Sequence, residues 1–383
     1  MSDSTQVGVL HTPSERGDGH LRDPDNLLRK IPNSPVIPRN VIDNLSLRHG
    51  NLIEVTVKKN GKLGQVVLVE GKPAEDWKKT VAIYDSVPLD PEPQIRTEFD
   101  RGEATTRIVD IVAPIGFGQR GLIVAPPRVG KTMLLQNLAK GIHANNPNAE
   151  LFLLLIDERP EEVTDMRRNV PGTVIASSND NDAKEHIELA VLASERFKRI
   201  AETGKDVIVL MDSLTRLGRA FNRGSNSGKT LSGGIDARAL EIPKKIFGAA
   251  RKIEGGGSLT IVATCLVQTN SRMDEVIFEE FKGTGNMELI LDRKTANDRV
   301  FPAIHVTQSA TRKEEKLIKP EYMPAVLNVR KLLSNMPPTM AIKTLIEAIG
   351  QHPTNDSFLK AMTPQEQAEQ YRRRASVTRE LGG

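Results

Sequence analysis

Cysteine is nearly absent: the 383-residue chain has one, Cys265. A single thiol excludes an internal disulfide framework and a thiolate metal cluster. Its place in the apolar run LTIVATCLV points to a buried strand. Aromatic residues are also scarce, at 4% of the chain. The scarcity is sharpest at the front, where no Phe or Tyr precedes Tyr84 and Trp77 stands alone among the first 80 residues. Long apolar runs are missing too. No stretch of about 18 apolar residues occurs, and the chain opens Met-Ser-Asp-Ser without a charged-then-apolar leader. The expectation is a cytoplasmic, non-membrane protein.

What is present is ordinary for a soluble globular chain: 38% hydrophobic and 27% charged residues. The length allows two or three domains and at least one large core. A net charge of +4 is compatible with a nucleic-acid partner without requiring one.

Residues 1–80 begin rich in Pro, Asp, Asn and Arg and then show short alternating runs. Asn51–Val57 and Gly64–Val69 read as strands, with Asn60-Gly61 as a tight turn between them, so a small β-domain is expected. A Pro-rich stretch, VPLDPEPQ over Val87–Gln94, reads as an extended linker within residues 81–105. From about residue 106 to 335, apolar runs alternate with helical patterns. Gly121–Ala125, Leu151–Ile156, Val207–Met211, Leu259–Thr264 and Met287–Leu291 look like strands buried on both faces, the mark of a mostly parallel α/β sheet. Residues 336–383 read as helices, Met340–Ile349 among them, and end in a polar tail with Arg372-Arg373-Arg374, most simply a solvated helix face.

Ala125-Pro126-Pro127-Arg128-Val129-Gly130-Lys131-Thr132 fits the phosphate-loop pattern, with Ala for the usual first Gly. Context gives it force. The strand GLIVA precedes it, and a helix with apolar Met133, Leu134, Leu138 and Ile142 follows. Main-chain N–H groups of such a loop wrap phosphates, and the helix N-terminus adds a favourable dipole. Gly130 leaves room for close approach, Lys131 meets the β- and γ-phosphates, and the Thr132 hydroxyl meets Mg²⁺. ATP and Mg²⁺ are thus the expected ligands. Upstream, Gly116-Phe117-Gly118-Gln119-Arg120-Gly121 matches a dinucleotide fingerprint as a string. It precedes a strand instead of following one, so it is taken as a turn feeding the first central strand, close to the nucleotide.

An ATPase also needs acids beside the triphosphate. Val207–Met211 runs into Asp212-Ser213, which makes Asp212 the Mg²⁺ carboxylate, acting through water. Leu151–Ile156 runs into Asp157-Glu158-Arg159-Pro160, which makes Glu158 the group polarising the attacking water. A lone strand-terminal acid is more often a helix cap; two of them after a phosphate loop favour catalysis. Arg293, Arg299 and Arg312 are candidates for an arginine reaching a neighbour's γ-phosphate, with surface ion pairing as the plain alternative. Two polar, glycine-rich stretches, Gly224–Asp236 and Lys282–Asn286, carry Lys229 and Lys282 and suit contact with a phosphate chain in a ring.

Taken together, GLIVAPPRVGKTMLLQN, LLLIDERPEEVTDM, MDSLTRLGRAFN, SGGIDARAL, FGAARKIEGGGSLTIVAT, MDEVIFEEFKGTGNMEL and RVFPAIHVTQSATRKEE resemble the Rho family of bacterial transcription terminators. The match is dense from about Pro114 to Glu315 and weaker on either side. It implies a RecA-like ATPase domain behind a cold-shock-like (OB-fold) β-domain, with helices after it. It implies a homohexamer that burns ATP to move along RNA and pull transcripts from RNA polymerase. By resemblance, Glu158 is the catalytic glutamate with Arg159 at the nucleotide. Arg312 is a trans-acting finger, with Arg299 also at the subunit boundary. Met133 and Phe301 sandwich the adenine. Lys229 with Thr230, and Lys282 with Gly283, contact RNA in the central hole.

The front departs from the pattern. The family's β-domain stacks bases on a Gly-Phe-Gly-Phe type motif, and here those positions read Gly17-Asp18-Gly19-His20-Leu21-Arg22. A weakened or lost primary RNA site is expected. Within the loop, Arg128 stands where the family often has Lys. Two other readings stay open at this point. One is a rotary or secretion-type ATPase on the same core fold. The other is a ring-shaped RNA-binding regulator with poor termination and a repurposed N-terminal domain.

Overall fold

The computed structural model describes residues 4–14, 16–230 and 232–363; the expected arginine triplet and tail lie outside the described residues. The front domain is an antiparallel sheet. Its strands run in the order Asn26–Lys30, His20–Asp23, Ser4–His11, Leu52–Val57, Leu63–Val69, Lys72–Pro73. The Leu52–Val57 strand alternates inward Ile53, Val55 and Val57 with half-exposed residues, as a one-sided sheet requires. Among the described residues no ladder joins Asn26–Lys30 to Leu63–Val69, so the sheet is open at the seam where an OB barrel would close. Trp77 seals its base: it is 1% exposed, and its indole N–H donates to the Ser46 carbonyl at 3.1 Å.

The second domain holds the parallel sheet. The order is Thr173–Ser178, Glu150–Glu158, Asp206–Asp212, Ser258–Leu266, Arg120–Ala125, Met287–Ile290, and the antiparallel Ala310–Thr311. The first six strands are parallel, so their carboxyl ends share one edge. Helices cover both faces. Lys131–Asn145 and Pro160–Asn169 lie on one side, while Ala183–Glu202, Leu214–Gly224 and Arg272–Lys282 lie on the other. The one-side core also takes the C-terminal helices Met323–Ser334, Pro338–Gly350 and Asn355–Met362.

The Pro-rich stretch is extended, as expected, but it is no free spacer. Pro88–Leu89 pairs with Lys252 and Ile253, and Gln94–Ile95 pairs with Ile115–Gly116. Next to it, the Asp110 carboxylate accepts from Thr97 N–H, Glu98 N–H and the Thr97 hydroxyl at 2.9–3.0 Å. Burial pushes the Asp110 carboxyl up to about 7.

The helix Ala183–Glu202 joins the two domains. Its start is fixed by a reciprocal cap between Asp182 and Glu185. One face buries Leu189, Ala193, Phe197 and Ile200 against the parallel sheet. Its other face receives the front domain. Arg22 pairs with Glu188, Arg196 with Glu70 at 2.6 Å, and Arg48 with Glu202 at 3.1 Å. Gly50, at φ +87°, lets the front domain touch this helix, because a Cβ there would lie 2.5 Å from the Glu195 carbonyl carbon.

Gly50→Ala therefore meets both left-handed strain and a backbone clash, whereas Gly71→Ala meets strain alone, since φ is +75° with nothing within 4 Å. Denaturant unfolding is expected to show Gly50→Ala less stable than Gly71→Ala by about 1–3 kcal/mol. Equal losses would mean the domains do not press together at Gly50.

Candidate nucleotide site

The shared carboxyl edge of the parallel strands collects the predicted residues. The Arg120–Ala125 strand passes into a loop in which Arg128 (φ 64°) and Gly130 (φ 89°) are both left-handed. Gly130 then starts the helix Lys131–Asn145 without any side-chain cap, so the first-turn N–H groups are left for an anion. Val129 is buried beneath, Arg128 is exposed, and Thr132 is half-buried one residue into the helix.

Lys131 reaches back over the sheet edge. Its Nζ lies 2.6 Å from Asp212 Oδ1 and 3.9 Å from Glu158 Oε2. The Thr264 hydroxyl donates to the same Asp212 Oδ1 at 2.8 Å. Asp212 ends the Asp206–Asp212 strand, and Thr264 sits on the strand between it and the phosphate-loop strand. The two acids thus meet the loop because four adjacent parallel strands end together.

Glu158 gets there through a bulge. The ladder shifts between Ile156 and Glu158, and Asp157 takes φ 56°. Two successive acids therefore face different ways. Asp157 turns to Arg223 at 3.3 Å and His186 at 3.6 Å, while Glu158 turns inward and is 2% exposed. Arg216 Nη2 donates to Glu158 Oε1 at 3.0 Å, and the Arg159 N–H reaches that oxygen at 3.2 Å. Glu158 Oε2 has no hydrogen-bond partner. Burial, then the Asp212 charge, raise the Glu158 pKa against the pull of Lys131 and Arg216. An inward, proton-retentive carboxylate with one free oxygen suits a water-orienting base.

At the mouth, Met133 and Phe301 are 59% and 51% exposed. The Phe301 ring lies 3.5 Å from where a Gly130 Cβ would stand. Two bare apolar side chains flanking a phosphate loop make a slot for a flat ring. Arg299, exposed at φ 56°, sits two residues before Phe301 at this mouth. The Arg159 side chain is exposed and leans towards Glu162 at 3.7 Å.

Arg312 is elsewhere. Its N–H bonds the Asn286 carbonyl, beside the pairing of Met287 with Thr311 and with Gly121. Gly121 is four residues before Ala125, about 13 Å along the strand, so Arg312 lies at the amino edge, remote from its own phosphate loop. The same polarity corrects one expectation. Gly116, Phe117, Gly118, Gln119, Arg120 and Gly121 also lie at this amino edge and are not at the chain's own nucleotide site. Gly118 instead packs on the Lys252 backbone, and Arg120 donates to the Thr284 and Ala250 carbonyls.

The two glycine-rich stretches are less loose than expected. Lys282 is the last residue of the helix Arg272–Lys282, exposed, with its Nζ 5.6 Å from the Phe278 ring; the loop proper is Gly283–Asn286. Lys229 and Thr230 are exposed, on a segment tied down where Asp236 Oδ2 accepts from Ser227 N–H at 2.6 Å. Sequence reasoning missed Arg216 and Thr264. The available signal for Arg216 was a cation in the first turn of the helix that follows the acid-ended strand.

Among the described residues no cluster of three His, Cys, Asp or Glu forms a metal cage. Thr132 and Asp212 still fit Mg²⁺, which takes few protein ligands and completes its shell with water and phosphate.

These features define a phosphate-loop ATPase of the RecA-like α/β kind. Residues 105–311 match the family model of the ATP synthase alpha/beta family nucleotide-binding domain. Among solved structures, a prototypical ATPase from a type III secretion system of pathogenic bacteria aligns at TM-score 0.60 and 22% identity, over 72% of this chain and 85% of that one. The assembled ATPase EscN of enteropathogenic E. coli aligns at TM-score 0.59 and 19% identity, over 94% and 97%. At these identities only the fold is shared. Curated relatives are much nearer. Transcription termination factor Rho of Cereibacter sphaeroides is 47% identical over 365 residues, covering 93% of this chain and 86% of that protein. That of Bacillus subtilis is 50% identical over 339 residues, covering 86% and 78%. The chain belongs to the transcription termination factor Rho family.

Two outcomes follow from the buried charges. Lys131→Ala leaves two inward carboxylates facing each other, and without nucleotide it is expected to cost on the order of 3 kcal/mol in urea unfolding; an unchanged midpoint would refute the pairing. Glu158, with a raised native pKa, binds its proton more tightly folded than unfolded. Its ionisation penalty is absent below the ordinary value of 4.5 and grows as pH rises above it. Glu158→Gln removes that penalty, so its stability relative to wild type should climb from pH 4.5 towards neutrality. A flat difference would show that Glu158 is not held against ionisation.

Proposed function

We propose that this chain is an ATP-driven RNA translocase acting as a transcription termination factor, working as a homohexamer on nascent RNA and against RNA polymerase. The observation that carries the reading is the Lys131–Asp212–Glu158 constellation at the phosphate loop, within a chain about half identical to Rho proteins.

The residues divide the work. On ATP binding, Lys131 exchanges its Asp212 contact for the β- and γ-phosphates, while amides of Gly130–Thr132 wrap the oxygens. Asp212, held by Thr264, and the Thr132 hydroxyl are then free to hold Mg²⁺ and its waters. Bound there, Mg²⁺ supplies charge neutralisation at the β,γ-oxygens. Glu158, fixed by Arg216 through one oxygen, uses the other to orient water and accept its proton. Met133 and Phe301 hold the base. Arg312, remote from its own loop, serves a neighbouring subunit, and Arg299 lies near the same boundary. Lys229 with Thr230 and Lys282 with Gly283 meet the RNA backbone in the central hole.

The front domain supports weak base stacking at most. Trp77 is buried, Leu21 is core, Arg22 is spent on Glu188, and Asp18 Oδ1 accepts from Arg39 N–H at 2.9 Å. Terminating activity with this altered front remains the preferred reading over a poorly terminating regulator, because the ATPase and loop blocks are intact.

Steady-state hydrolysis with and without poly(C) tests the reading. Glu158→Ala and Arg312→Ala should each lower RNA-dependent turnover by about 10³-fold or more. Mixing the two variants should restore part of it, since some boundaries then pair an intact Glu158 with an intact Arg312. No stimulation of wild type by RNA would end the proposal, and no rescue on mixing would end the trans role.

A further inference from the structure

The front domain has no exposed Phe, Tyr or Trp, yet the strap behind it, residues 81–105, carries Tyr84 and Phe99, of which Tyr84 is the more exposed. Tyr84 is 51% exposed. It is also rigidly presented. Ile83 beside it is fully buried, and its N–H donates to the Glu202 carboxylate at 2.9 Å. Two cations meet the ring: Lys198 Nζ at 4.9 Å and Arg251 Cζ at 4.6 Å from its centroid.

Tyr84 forms one wall of a cavity of about 570 Å³ between the helices Ala183–Glu202 and Glu241–Gly248. Val191, Ile242 and Ile246 supply apolar walls, and Lys245 stands exposed at the rim. At the floor, the Ser194 hydroxyl is buried, with the residue 3% exposed, and has no hydrogen-bond partner. Glu195 is also present, already neutralised by Lys198 at 2.6 Å and Arg199 at 3.8 Å. A flat aromatic wall, an unanswered hydroxyl, a carboxylate acceptor and rim cations match a nucleobase with its phosphate.

The cavity does not stand alone. Arg251 also lines a second, polar cavity of about 590 Å³ with Arg120 and Asn286. Asp90 and Glu92 stand on its other wall, where Asp90 neutralises Lys316 at 2.7 Å, so Arg120 and Arg251 are its unpaired cations. That cavity adjoins the Gly283–Asn286 loop, because Arg120 donates to the Thr284 carbonyl. Arg120 and Arg251 form no ion pair with a carboxylate among the described residues, and their mutual repulsion with Arg312 lowers the Arg120 pKa further after burial. The cationic path thus leads from Tyr84 to the pore loop.

We infer that the Tyr84 cavity is a nucleotide subsite for single-stranded RNA, placed between the front domain and the central loops and supplying stacking that the front sheet lacks. The inference rests on the RNA-translocase reading.

The test uses the full chain and a 12-nucleotide pyrimidine RNA carrying 4-thiouridine, cross-linked and mapped by peptide mass spectrometry. The expected label falls on the peptide containing Tyr84 as well as on the loop peptides. Tyr84→Phe keeps it. Tyr84→Ala loses it and weakens RNA binding by on the order of tenfold. Lys245→Ala, on an exposed side chain, lowers the salt slope of binding by about one unit. Labelling confined to the loop peptides, or wild-type RNA affinity in Tyr84→Ala, overturns the subsite. So does competition by cytidine monophosphate as strong as by the oligonucleotide, which marks a small-molecule pocket. RNA-stimulated hydrolysis with Tyr84 unlabelled sinks this inference alone; no stimulation and no label anywhere sinks the translocase reading with it.

Discussion

A lysine ammonium held between two inward carboxylates, at the edge where parallel strands end, is the constraint on which the rest depends. Removing the ammonium leaves two carboxylates badly solvated, because the edge is built from buried strand ends. The same arrangement is poised for exchange. The Lys131 ammonium neutralises Asp212 when no phosphate is near, and a triphosphate competes for that ammonium. Strand polarity thus does more than support the site. It brings the phosphate loop, the Asp212 strand and the bulged Glu158 strand to one edge, and it sends Arg312 to the other.

That separation has a mechanical meaning. An arginine remote from its own loop is what the proposed trans role requires, with each site completed by a second chain. The amino edge also carries Gly116–Gly121, Arg120 and the Gly283–Asn286 loop, so Arg312 and that loop share one short stretch of backbone. Arg312 bonds Asn286 directly. In the proposed ring, a change at the triphosphate of one subunit would be one hydrogen bond from the proposed RNA loop of the next.

The helix Ala183–Glu202 has a comparable double duty. It packs on the ATPase sheet and carries the charged seam that receives the front domain. One residue of the altered motif is used there, Arg22, which is committed to Glu188; Gly50, outside the motif, is fitted against the helix backbone. The front domain is docked by ion pairs and by apolar burial, since Val9 and Leu27 join the core cluster of that helix and the sheet. The strap that follows is bound along its length, which fixes Tyr84 outward.

Much of this was legible in the residues. The phosphate loop, the strands ending in Asp212 and Glu158, and the five central strands all showed in short-range patterns, because a buried parallel strand needs a continuous apolar run and a phosphate loop needs its glycine and lysine at fixed spacing. Met133 and Phe301 as flanks of the base came only by family resemblance. Three front strands, Ser4–His11, His20–Asp23 and Asn26–Lys30, did not show, since they are short and the Pro, Asp and Gly between them read as turn. Arg216 and Thr264 did not show, since their roles come from strands far apart in sequence. The sequence by itself determined which chemical groups exist and which local element carries each. Only the tertiary structure decided which edge each group occupies. It alone put Gly116–Gly121 away from the nucleotide, turned Glu158 inward past Asp157, and set Tyr84 above an orphaned hydroxyl. The physical reason is that strand order and polarity are long-range pairings, and no local spacing encodes them.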